Sequence, residues 1–364
     1  MTDRYKVYTK VLKTIKHFVT DQHSGHTVTL AMMIAGIVMS KKAQLSEMSS
    51  EIPTAAKDKS IEMRLRRWVK HDRIDGEMIY LPFARQLLSV LSEQELVLVM
   101  DGSQAGRGCM VLMVGVVYKK RALPIAWLVY KGKKGHTTAK RHMEALEKVK
   151  ALLPETAKVT LLGDAEYDTT EMLLWVRENT QWSYVLRTSP QICVTTTLGE
   201  HAIGDIALER NQVVQYLNVG FTQSLALETN LVGWWSNKYE KPIYLITNLT
   251  SKYLTCRHYQ RRYRIETFFS DQKSRGFNIH KSHLSDPARV SRLLVAACLA
   301  YIWIILQGLQ VIAENKSSWI DRTERNDKSL FRLGLDWIRH CLKRDIEFEP
   351  MFWFQLEQNV VNVR

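Results

Sequence analysis

Residues 95–132 read ELVLVMDGSQAGRGCMVLMVGVVYKKRALPIAWLVYKG, three apolar stretches of strand length separated by turn signals alone. Each is too continuously apolar to have one face in water, so each reads as a strand buried on both faces of a sheet. Lys119, Lys120 and Arg121 mark the hairpin between the second and third. TTAKRHMEALEKVKALLP follows, with Met143, Leu146, Val149 and Leu153 at helical spacing and Pro154 as its stop. KVTLLGDAEY is a fourth strand, TTEMLLWVREN a second helix and WSYVLRTS a fifth strand. A meander of three strands continued by αβ units can close only as a mixed sheet with helices on its faces.

Other segments attach to this α/β core. Residues 1–92 read as a basic helical domain, with TVTLAMMIAGIVMS as an apolar helix. In DKSIEMRLRRWVKHD, Ile61, Leu65, Trp68 and Val69 lie at helical spacing among arginines. That helix suits the reading helix of a helix-turn-helix, and equally an amphipathic helix with a solvated charged face. The core itself spans 93–190 and resumes over 251–313. Between its two parts, residues 191–250 hold QICVTTT, NQVVQYLNVGF, NLVGWWSN and PIYLITNL, a block of β strands inserted into the parent fold. Residues 314–364 close the chain with one amphipathic helix and a short aromatic tail.

Charge points to the partner. Lys and Arg number 51 against 37 Asp and Glu, a net charge of +14 spread along the whole chain, including Lys131, Lys133 and Lys134. A distributed excess suits an extended polyanion such as DNA better than a small ligand. Five scattered cysteines without a C-x-x-C fit a reduced cytosolic setting and no zinc ribbon. The pairs His23/His26 and His280/His283 lack further ligands at metal-binding spacing. The opening MTDRYKVYTKVLK has no apolar leader core, so no signal peptide is expected. LLVAACLAYIWIILQGLQVIA, residues 293–313, has the length of a membrane span. Its Gln307, Gly308 and Gln310, with no second such run, favour a helix buried in a protein core, and no membrane partner is expected.

Chemistry resides in three acids. Asp101 and Asp164 are each the first acid past the end of a buried strand, where ligands gather in such sheets. Side by side they would repel, unless a hard cation such as Mg²⁺ is shared between them. A strand-end Asp is also a common turn former. The third acid lies in YQRRYRIETFFSDQKSRGF, residues 259–277. Treated as one helix, it places Tyr259, Arg262, Glu266 and Lys273 on one stripe about 60° wide and roughly 20 Å long, with Ile265, Phe268 and Phe269 beside and behind it.

The spacing Y-x₂-R-x₃-E-x₆-K, together with the two strand-end aspartates and the β block before the glutamate, resembles the signature of the IS4-type DDE transposases of bacterial insertion sequences. The resemblance runs from about residue 90 to residue 340. It implies a ribonuclease-H-like fold and a catalytic triad of Asp101, Asp164 and Glu266 that holds two Mg²⁺ ions, with Mn²⁺ as a substitute. Glu166 and Asp168 are rivals for the second acid that lie past the strand end. After that acid stands AEYD, a departure from the aromatic or glycine-containing run frequent in the family. Tyr259, Arg262 and Lys273 would grip the phosphate beside the scissile bond. Trp234, Trp235 and Tyr263 are the candidates to receive a flipped base, although a Trp pair is more often core. The implied reaction is cleavage at the element's ends and joining of the freed 3′-hydroxyls to target DNA, by a homodimer on terminal inverted repeats in the bacterial cytoplasm at the nucleoid. A catalytically silent, transposase-derived DNA-binding protein is the alternative. A stand-alone nuclease of this fold would need neither the basic N-terminal domain nor the phosphate-gripping helix.

Overall fold

The computed structural model describes residues 2–19, 24–133, 135, 137–197, 199–223, 226–322 and 327–352; His23, Lys134 and most of the aromatic tail lie outside them. Five helices open the chain: α1 (Asp3–Phe18), α2 (Ser24–Ser40), α3 (Leu45–Ser49), α4 (Asp58–Lys70) and α5 (Gly76–Leu91). The two helices legible from periodicity are α2 and α4. In α4, Ile61, Leu65, Trp68 and Val69 are buried and Arg66, Arg67 and Lys70 exposed, as the amphipathic pattern requires. Asp75 caps α5, accepting from the amides of Glu77 and Met78 at 2.9 and 3.2 Å.

The three apolar runs form β1 (Leu96–Gly106), β2 (Cys109–Tyr118) and β3 (Arg121–Lys131), all antiparallel. Next come α6 (Ala139–Lys150), β4 (Val159–Gly163), α7 (Thr170–Asn179) and β5 (Ser183–Thr188), with β4 parallel to β1 and β5 parallel to β4. The order β3-β2-β1-β4-β5 is that of a ribonuclease-H-like core. The β block supplies β6 (Cys193–Thr196), β7 (Gly199–Ala202), β8 (Val213–Phe221), β9 (Leu227–Trp234) and β10 (Ile243–Thr247). These strands build no separate sheet. β10 pairs antiparallel with β5 and the rest follow, giving ten strands in the order β3-β2-β1-β4-β5-β10-β9-β8-β6-β7. The pairing covers the backbone edge that β5 would otherwise expose.

Residues 259–277 depart from the single helix expected for them. The chain forms α8 (Lys252–Tyr259), a tight turn over 260–263, and α9 (Arg264–Gln272). Across the turn the amides of Arg261, Arg262, Arg264, Ile265 and Glu266 bond to carbonyls three residues back. The cause is tertiary. α8 packs on β5, β8 and β9, whereas α9 packs on β1, β2 and β3, so no straight helix serves both. Three-residue spacing eclipses side chains, which keeps Tyr259 and Arg262 aligned despite the break. α9 then ends at Lys273, and the chain folds back so tightly that a Cβ on Gly276 would lie 1.9 Å from the Asp271 carbonyl oxygen.

The long apolar run is α10 (Pro287–Ala313), capped by Asp286, whose side chain accepts from the Arg289 amide. By length and composition it is able to cross a membrane; here it is buried almost throughout, against α2, α4, α5, β3 and α11 (Leu330–Arg344). α10 and α11 meet through glycines. A Cβ on Gly308 would lie 2.2 Å from the Leu330 carbonyl oxygen, and one on Gly334 1.8 Å from that of Ile304.

Candidate active site

Strand register assembles the first two acids. Val99 of β1 lies beside Leu162 of β4, and two residues on the same register brings Asp164 alongside Asp101. Gly163 lies beside Leu186 of β5, which sets Arg187 next in the row. Neighbouring strands are about 4.8 Å apart, so the two carboxylates and the guanidinium start from adjacent backbone positions. Asp101 does not sit beyond its strand, contrary to expectation from sequence. β2 carries β1 on to Gly106, with Asp101 opposite Met113, and what stops after Val99 is the pairing with β4. The acid therefore stands where β1 loses one neighbour and keeps the other. It is only 5% exposed, and its Oδ1 accepts from the Gly102 amide at 2.7 Å.

Asp164 follows β4 directly and closes an Asx turn, its Oδ1 accepting from the Glu166 amide at 3.0 Å. Glu266 lies in the first turn of α9, where a helix favours negative charge. Arg262 links them. Its Nη2 donates to Glu266 Oε1, and its Nη1 stands 3.9 Å from Asp164 Oδ2. Burial alone would lower the Arg262 pKa, but Tyr259, Glu266, Asp101 and Asp164 outweigh it and the net shift is upward. Tyr259 is buried beneath this guanidinium rather than presented in a row; burial pushes its phenol up to about 12, against the pull of Arg262 and Arg187.

Asp101, Asp164, Glu266, Arg262 and Tyr259 thus come together. Lys273, seven residues on from Glu266 and about 10 Å along a helix, caps the C-terminal end of α9 and adjoins His280, whose pKa falls chiefly by burial and next by the Lys273 charge. Tyr263 is exposed, with the Arg264 guanidinium 4.3 Å from its ring centre. Trp234 offers no free face to a base: it is buried in β9 between Val213 and Ile243, edge-on to Tyr239. Trp235 is half-buried, donating to the Tyr239 carbonyl at 3.2 Å beneath Arg210. Of the rival acids, Glu166 accepts from the Thr137 amide at 3.3 Å. Asp168 is buried, and its carboxyl is raised first by that burial.

Four neighbours escaped the sequence reading. Arg187 was detectable, since it is the exposed position of a buried strand, one step past the level at which β4 ends. Tyr239 adds a phenol whose nearest charges are Arg262 and Arg187. Tyr167 and His142 are buried against each other, ring centres 4.7 Å apart, and burial lowers the His142 pKa to about 4. Tyr167 stands three residues past Asp164, whereas nothing in their sequence spacing connects Tyr239 and His142 to the acids.

Three carboxylates are the donor set of a hard divalent cation. Among the described residues no three His, Cys, Asp or Glu side chains stand at metal-ligand spacing, because Glu266 is turned to Arg262. Its side chain is 54% exposed and has room to turn back, so the residues fit such an ion.

Fold and site define a ribonuclease-H-like α/β protein with one acid within a central strand, a second at the end of its neighbour and a third on a helix after the sheet. Residues 74–303, well over half of the chain and including all three acids, match the family described as Transposase DDE domain, and the chain belongs to that family. DDE transposases generally use divalent metal ions. Among solved structures, the cryo-EM piggyBac transposase synaptic complex with hairpin DNA is similar, with 9% identity and a TM-score of 0.45, covering 99% of this chain and 84% of that one. No curated protein matches the sequence.

Proposed function

We propose that this chain is an IS4-type transposase that cuts DNA at the ends of its own insertion sequence and joins the 3′-hydroxyl ends to target DNA. It would act as a homodimer on paired inverted repeats, in the bacterial cytoplasm at the nucleoid. The observation that carries this is the row of Asp101 in β1, Asp164 just past β4 and Arg187 in β5, faced by Arg262 and Glu266. Asp101, Asp164 and Glu266 are the residues to hold two Mg²⁺ or Mn²⁺ ions. Bound there, such ions activate water or a 3′-hydroxyl and stabilise the leaving oxygen.

The chain's own groups supply the rest. Asp101, fixed within its strand, sets the reference position. Arg262 exchanges Glu266 for a DNA phosphate, which a guanidinium grips through two parallel hydrogen bonds, and so releases Glu266 to the other acids. Lys273, further along, adds a point charge to the same backbone. Tyr263 is the exposed aromatic surface for a base displaced near the cut; 2-aminopurine placed there brightens with the wild type, and equal brightening with Tyr263→Ala removes that role.

A duplex carrying the DNA that flanks this reading frame is expected to be nicked at the repeat end with Mg²⁺ or Mn²⁺ and left intact with chelator. The Arg262–Glu266 pair also favours a second reading, a DNA-binding protein that does not cut. Binding of the repeats without nicking under any divalent ion would select that one. Arg262→Ala and Lys273→Ala are each expected to reduce the slope of log affinity against log salt by about one. An unchanged slope in both variants removes their phosphate role.

A further inference from the structure

A second basic feature lies away from the acids. At the C-terminal half of α9, a cavity of about 280 Å³ is lined by Lys41, Arg121, Arg275 and Arg332, with Asp271 as the one acid in its wall. Arg121 begins β3 and is 7% exposed. Its Nη1 stands 3.5 Å from Asp271 Oδ2, while its Nε is buried without a hydrogen-bond partner. The Asp271 Oδ2 facing this guanidinium is likewise buried without a hydrogen-bond partner, so the pair is only loosely satisfied. The N-terminus of α11, fifteen residues long and capped by Ser329, opens on the same cavity through Ser329, Phe331 and Arg332. A helix start directs amides and partial positive charge at whatever lies before it.

The cations are also poorly neutralised. Arg332 shares Asp336 with Lys328, both at 3.1 Å, and Asp271 is engaged with Arg121. Lys41 has its pKa lowered, first by burial and then by Arg339 and Arg332, with Asp336 offsetting them only in part. A tetrahedral anion with several acceptor oxygens answers the helix start and the crowded cations together.

We infer that this cavity is a binding site for one phosphate group, held by Arg121, Arg275, Lys41 and the N-terminus of α11. Two sources share that chemistry, a DNA backbone phosphate and a free phosphate group. α9 carries Glu266 at its start and lines the cavity with Ser270 and Asp271, roughly 6–8 Å further along its axis, so a duplex at the acids runs close to the cavity. The DNA source rests on the function proposed above; the phosphate site itself does not.

The test uses the full chain and inorganic phosphate exchanged for chloride at constant ionic strength. Melting temperature is expected to rise with phosphate and saturate, and the rise is expected to fall by at least half in Lys41→Gln/Arg275→Gln. No phosphate-specific rise in the wild type overturns the site, whatever the variants do, and so does an undiminished rise in the double variant. The second arm measures duplex affinity against salt. A slope lowered by about one in the double variant assigns the site to DNA. An unchanged slope with the phosphate response lost assigns it to a free phosphate. Both arms are read without strand cleavage, so an inactive enzyme leaves the site standing and a failed site leaves the cleavage reading intact.

Discussion

Asp101→Asn and Asp164→Asn are each expected to abolish end cleavage while leaving end binding in place. The two side chains rise from neighbouring strands, so replacing either carboxylate by a neutral amide removes one of two anionic ligands that the backbone itself holds side by side. Ion-stabilised charge in the transition state amounts to several kcal/mol, which is a rate loss of about 10³ to 10⁴. Asn keeps the volume and the acceptor that Gly102 and Glu166 use for their amides, so melting temperature is expected to move little. Glu266→Gln belongs to the same set, and there the Arg262 ion pair is lost as well. Single-turnover nicking of an end duplex, with affinity measured on the same preparations, separates chemistry from binding. Wild-type rates in any of the three variants would falsify the triad.

Gly334→Val is expected to lower stability by about 2–4 kcal/mol, seen as a lower urea midpoint with unchanged slope. A Cβ there meets the backbone oxygen of Ile304, which no side-chain rotation relieves, and α10 is the helix against which α2, α4, α5, α11 and β3 all pack. Gly308 faces α11 across the same crossing, so the two helices have no slack with which to separate. Gly334→Ala should fall between wild type and Val. A midpoint in Val within 0.5 kcal/mol of wild type means that the helices part freely and that their close approach is not what holds them.

Legibility in the sequence followed the range of the forces involved. Asp101 and Asp164 stood out because an apolar run stopping at an acid is a local pattern, and the chain order of the first five strands showed because each strand and helix was strongly patterned, while their ribonuclease-H-like arrangement came with the family resemblance. The break after Tyr259 did not show. Gln260–Tyr263 contain neither Gly nor Pro, and it is the packing of α8 and α9 on different strands that bends the chain there. For the same reason the burial of Tyr259 was invisible. Tyr239 entered the site through the pairing of β10 with β5, strands far apart in the chain, which composition and spacing do not encode.

The placing of Asp101 inside β1 has a consequence for how the site moves. Its peptide belongs to a ladder that opens only when much of the sheet opens, whereas Asp164 is held by one turn and Glu266 by the first turn of a nine-residue helix entered through three-residue spacing. Native-state hydrogen exchange should rank the three amides in that order, Asp101 slowest. The site then has one stationary member and one that swings. Its opening and closing can occur on the timescale of a side chain and a single helical turn, at no expense to the sheet that aligns it.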